Sequence, residues 1–179
     1  MEKVRERLSR AVGALERAGI AYAVAGENAV AAWVSRVDES AARTTRDVDI
    51  LVRRSDLDAV KSALEGAGFV HRHSSDLDLF LDGPEAKARD AVRLVFANEK
   101  VRLHESLANP DVDESEDAGL FRVVSLPALV QIKLTDFRDT DRTHLRDLID
   151  VGLIDEYWCP RFPPELAARL KSLIETPGG

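Results

Sequence analysis

Arg46-Asp47-Val48-Asp49-Ile50-Leu51-Val52 has the composition of a β-strand that carries two carboxylates. Alternate residues of a strand point to the same face. Val48, Ile50 and Val52 therefore turn to a core, while Asp47 and Asp49 stand together on the opposite face. Their like charges repel unless a cation lies between them, and two convergent hard oxygen donors suit Mg²⁺. A half-buried strand with polar residues toward solvent has the same pattern, so the spacing alone leaves both readings open.

The stretch upstream narrows the choice. Ala21-Tyr22-Ala23-Val24-Ala25-Gly26 is a short apolar strand closing on a glycine, and Val30, Trp33, Val34 and Val37 follow in a helix pattern. A strand, a glycine turn and a helix N-terminus make a phosphate site, because the backbone N–H groups of the first turn point outward without partners.

On Gly26, the helix after it and Thr45-Arg46-Asp47-Val48-Asp49-Ile50-Leu51-Val52, the chain resembles the nucleotidyltransferase superfamily, which includes polymerase beta, the minimal nucleotidyltransferases and the nucleotidyltransferase toxins. The resemblance spans Tyr22 to Ile154. It implies an α/β (α+β) fold, a mixed sheet flanked by helices with further helices at the C-terminus. It also implies that Asp47 and Asp49 hold Mg²⁺ or Mn²⁺, and that Gly26, Glu27, Asn28, Arg46 and Lys133 bind the nucleotide. The implied reaction moves a nucleoside monophosphate from an NTP to an acceptor hydroxyl. Protein side chains, tRNA ends and small molecules such as aminoglycosides are acceptors within the superfamily, and some members act in toxin-antitoxin pairs. Glu27 departs from the usual Gly-Ser or Gly-Gly turn.

Catalytically active members usually add a third carboxylate on a later strand. If Val92-Arg93-Leu94-Val95-Phe96 is that strand, Arg93 has replaced the acid, and a guanidinium neither ligates Mg²⁺ nor acts as a base at neutral pH. If Leu77-Asp78-Leu79-Phe80 is the relevant strand, Asp78 could complete the set. Arg93 in the family position is the favoured reading, with Asp78 as a possible substitute. Loss of the acid would leave a nucleotide-binding or protein-interaction module that kept the fold without the chemistry.

Downstream, Ser125-Leu126-Pro127 starts a helix, with Ser125 as cap and proline in the first turn. Leu126, Leu129, Val130, Leu134 and Phe137 form its stripe, and Lys133 falls inside it. A lysine on an apolar face either snorkels to water or delivers its charge into a site. The resemblance implies the second, with Lys133 on nucleotide phosphate and Asp147, in the following helix, supporting that site or serving as an acid/base group.

The 179 residues suffice for a sizeable core, and the order of elements divides into a nucleotidyltransferase-like core, 1–124, and a helical segment packed on it, 125–179. The composition, 45% hydrophobic and 32% charged, is that of a globular protein, with no run approaching the ~20 apolar residues of a membrane span. The helix pattern from Glu2 to Arg17 is amphipathic and unlike a secretory leader, so a cytoplasmic location is expected. A net charge of −7 argues against non-specific binding to DNA, whose phosphates are held by Lys and Arg. Arg36, Arg43, Arg46, Arg53 and Arg54 read mainly as solubilising, His71 and His73 as surface residues, and Asp111 to Asp117 as a solvated linker. Cys159, the single cysteine, reads as a packed residue.

Overall fold

A computed structural model describes residues 2–178. Among them seven strands form one mixed sheet: β1 (Ala23–Ala25), β2 (Val48–Val52), β3 (Val70–Ser74), β4 (Leu77–Leu81), β5 (Ala91–Phe96), β6 (Ser115–Asp117) and β7 (Arg122–Val124). Their order across the sheet is β3-β4-β5-β2-β1-β7-β6. β2 runs parallel to β5 and β1 parallel to β7, while the other neighbours are antiparallel.

Strand β2 lies between β1 and β5, which explains its composition. Val48, Ile50 and Val52 face one layer of helices, α1 (Glu2–Arg17) and α3 (Leu57–Gly66), and share a core with Leu15, Leu64 and Phe80. Leu51 faces the other layer, α2 (Gly26–Ser35), α4 (Leu126–Asp136), α5 (Asp139–Asp150) and α6 (Pro164–Glu175). The face opposite Val48 is thus a second core, with Asp49 and Asp47 half-buried on that face toward the start of the strand. A strand buried on both faces reads as a nearly continuous apolar run, and Asp49 is the one interruption in β2.

The C-terminal helices belong to that second core. Leu129, Leu134, Leu145, Leu148, Leu166 and Leu170 are buried with Ala29, Val30 and Val34 of α2. Ser125 caps α4 as the sequence indicates, its Oγ accepting from the Ala128 N–H at 3.3 Å. Phe137, in the left-handed region at φ 49°, turns the chain from α4 into α5. Met1 and Gly179 lie outside the described residues.

The acidic stretch is not the solvated linker expected from its charge. Ser115–Asp117 is the edge strand β6, Val112 is buried, and Arg53 holds Asp111 through two bonds of 3.0 and 3.1 Å. Arg36 and Arg54 likewise pair with Glu116 and Glu99. Several basic residues that read as solubilising therefore tether separate parts of the chain.

Candidate functional site

The antiparallel register of β1 and β2 sets Ala25 opposite Asp49. The next residue, Gly26, opens α2 at φ +63°, and a Cβ there would overlap the Asp49 carboxylate. A side chain at residue 26 is therefore excluded twice, by backbone conformation and by Asp49. Asn28 Nδ2 donates to the Asp47 carbonyl at 2.6 Å. Thr45 Oγ1 accepts from the Asp47 N–H and donates to the same carbonyl, both at 3.2 Å. The α2 N-terminus and the entry to β2 are thus locked together, with both carboxylates beside the helix start.

The parallel register of β2 and β5 sets Arg93 opposite Asp49, so their side chains share a face. Arg93 Nε donates to Asp49 Oδ1 at 2.7 Å, and its Nη2 reaches Asp47 Oδ2 at 3.0 Å and Asp49 Oδ2 at 3.3 Å. One guanidinium spans both carboxylates. Burial pulls the Arg93 pKa down, but the two carboxylates outweigh it and raise the value, so the group stays charged.

Lys133 lies on α4 and is buried. Its Nζ donates to Asp141 Oδ1 at 2.9 Å, and Asp141 Oδ2 accepts from the backbone N–H and the Nε of Arg138, both at 3.1 Å. Burial alone would raise the Asp141 pKa, yet Lys133 and Arg138 hold it below the usual carboxylate range. His144, one turn further along α5, is buried with its Nε2 3.6 Å from Glu27 Oε1 and no partner for Nδ1. Burial, and then the Lys133 charge, push its pKa below the ordinary imidazole value, against the pull of Glu27 and Asp141.

The solution structure of the antibiotic-resistance factor ANT(2'')-Ia has the same fold, with a TM-score of 0.60 at 15% identity over 98% of this chain and 93% of that one. A crystal structure of ANT(2'')-Ia in complex with adenylyl-2''-tobramycin gives 0.57 at 14% identity over 98% of both chains. This chain has a nucleotidyltransferase fold. JHP933 from Helicobacter pylori is a more distant match, with a TM-score of 0.46 at 21% identity over 93% of this chain and 71% of that one. No protein-family model matches the chain. No curated protein matches it either.

Within the nucleotidyltransferase fold, Gly26, Glu27, Asn28, Asp47 and Asp49 come together at the α2 N-terminus. Arg46 is exposed, and its carbonyl accepts from Arg7 on the far layer at 3.2 Å. Asp78 does not join the site. Register pairs Leu79 with Arg93, which turns Asp78 to the opposite face, where its Oδ1 meets His71 Nε2 at 2.8 Å and His73 Nδ1 at 3.3 Å. His71 is correspondingly not a free surface group, since it also packs on Phe80 with ring centroids 5.0 Å apart. Burial raises the Asp78 pKa, but the hydrogen bonds of both imidazoles leave it below its usual value. Asp147 faces the loop before β2, where Arg43 grips it through Nε at 2.6 Å and Nη2 at 2.9 Å.

Asp47 and Asp49 are the two carboxylates that a divalent cation would meet at this site. Asp47 and Asp49 already bind a cation, the guanidinium, so their oxygens converge on a position of positive charge. Arg93, not an acid, stands opposite Asp49 on β5, and among the described residues no three His, Cys, Asp or Glu side chains form a metal cluster. Arg138, Asp141 and His144 are the site residues that sequence reading passed over. The available signal was Lys133 on an apolar stripe, because a buried ammonium needs a buried acid.

Proposed function

We propose that this chain binds a nucleoside triphosphate at the α2 N-terminus and transfers its nucleoside monophosphate to an acceptor hydroxyl. The observation that carries the reading is the locked juxtaposition of Gly26 and Asp49, which sets a helix N-terminus against a carboxylate pair holding a cation. Backbone N–H groups of the first turn of α2 bind phosphate oxygens, and Gly26 leaves them accessible. A Mg²⁺ ion held by Asp47 and Asp49 supplies neutralisation of the phosphate charge. In the transfer, the acceptor oxygen bonds to the α-phosphorus, the bond to the bridging oxygen breaks, pyrophosphate leaves, and the hydroxyl proton passes to solvent. No side chain opposite Asp49 is available to take it, because Arg93 stands there.

Adenylyl-2''-tobramycin in the ANT(2'')-Ia crystal makes a small hydroxyl-bearing molecule the first acceptor class to try. The net charge of −7 favours a cationic acceptor over a nucleic acid. The test incubates the protein with Mg²⁺, each α-phosphate-labelled NTP and candidate small-molecule, protein and tRNA acceptors. Label transferred by the native chain and lost with Asp47→Asn/Asp49→Asn supports the reading. Arg93 favours a second reading, a nucleotide-binding module without transfer. It gives NTP binding with no label transferred and no pyrophosphate formed.

A further inference from the structure

Arg93 does more than mark an absent acid. Its guanidinium bonds three carboxylate oxygens at 2.7, 3.0 and 3.3 Å and fills the space where Asp47 and Asp49 converge. Mg²⁺ requires oxygens at ~2.0–2.1 Å in near-octahedral order, so an ion drawing on these oxygens crowds the guanidinium, and their like charges repel at this range. The Arg93 side chain is 38% exposed, which leaves it free to turn outward. A planar fork of five donors matches phosphate as well as carboxylate, and the α2 N-terminus beside it is where the proposed triphosphate binds.

We infer that Arg93 is an internal counter-ion that competes with the divalent cation for Asp47 and Asp49, and that a triphosphate relieves the competition by taking Arg93 onto its own oxygens. This rests on the triphosphate site proposed above. Two states follow. In one, Arg93 sits on the carboxylates and the metal is excluded; in the other, the metal sits on the carboxylates and Arg93 on phosphate. A ligand that binds only the second state shifts the balance toward it. Metal and triphosphate consequently bind with positive coupling, commonly 5–150-fold in such systems, and metal alone binds poorly.

The test is titration with Mn²⁺ followed by electron paramagnetic resonance, on the native chain, Arg93→Ala and Arg93→Met, without and with inorganic tripolyphosphate. The methionine variant keeps the apolar stem of the side chain, so a folding defect peculiar to alanine is separated from loss of charge. Both variants are expected to bind Mn²⁺ alone about tenfold or more tightly than the native chain. Adding Asp49→Asn to either should abolish the gain. Tripolyphosphate should tighten Mn²⁺ binding to the native chain and do so far less in the variants. Equal Mn²⁺ affinity in native chain and variants overturns the competition, and equal effects of tripolyphosphate overturn the coupling. The metal-alone comparison involves no nucleotide, so it stands or falls separately from the transferase reading.

Discussion

The carboxylate of Asp49 occupies the space that a side chain at residue 26 would need, so Gly26 and Asp49 act as one unit in placing the helix start against the carboxylate pair. Gly26→Ala must move one or the other. A non-glycine residue at positive φ costs ~1–3 kcal/mol, and displacement of Asp49 from Arg93 adds to it. In a thermal unfolding experiment the variant is expected to melt at least several degrees below the native chain, at ~2–4 °C per kcal/mol for a chain of this size. A melting temperature equal to the native one contradicts the close approach.

Lys133 and Asp141 are both buried and hold each other at 2.9 Å. Removing one partner of such a pair leaves an uncompensated charge and typically costs ~3–5 kcal/mol, whereas replacing both with apolar residues is often neutral. Asp141→Asn is expected to lower the urea midpoint sharply, and Lys133→Met/Asp141→Leu to restore most of it. Equal losses in the single and double variants would show that the pair is not the source.

His144 makes stability depend on pH. Its folded pKa lies below the ordinary imidazole value because burial and Lys133 disfavour the charged form, Glu27 and Asp141 opposing them. As pH falls through the unfolded imidazole value of ~6.5, the unfolded chain takes up the proton first. Stability contributed by neutral His144 is therefore present above that pH and is lost below it. Asp136, whose pKa is raised by burial and by Asp141, acts with the opposite sign as the solution becomes more acidic. Urea unfolding at pH 7.5 and 5.5 is expected to show a larger drop for the native chain than for His144→Gln. The same drop in both would remove His144 as the cause.

Arg43 ties the loop before β2 to Asp147 of α5 through two bonds. The Arg43 side chain is 55% exposed, so the pair should contribute less than ~1 kcal/mol to global stability. Asp147→Asn is expected to leave the urea midpoint nearly unchanged while speeding amide hydrogen exchange in residues 36–47. Unchanged exchange there would show that the loop is held by other contacts.

Much of the fold was legible because it is written in local periodicity. The 16-residue α1, the capped start of α4 and the apolar runs of β4 and β5 follow from side-chain spacing. Asp47 and Asp49 were legible for the same reason, since alternation alone puts them on one face. What spacing could not give is register. Whether Arg93 or Asp78 lies opposite Asp49 depends on which strand neighbours β2 and on its offset, and a shift of one residue exchanges the faces. The Lys133 partner was hidden similarly: eight residues and a left-handed turn at Phe137 separate it from Asp141. The charges of Asp111 to Asp117 misled because their arginine partners are distant in sequence, Arg53 and Asp111 being 58 positions apart.

The central claim is that a triphosphate binds where Gly26, Asp47 and Asp49 meet. Isothermal titration of the native chain and of Asp47→Asn/Asp49→Asn with each NTP, with and without Mg²⁺, tests it most directly. The account predicts saturable binding of at least one NTP to a single site, requiring Mg²⁺ and lost in the double variant. No binding of any NTP by the native chain, or binding unchanged when both aspartates are replaced, would contradict it.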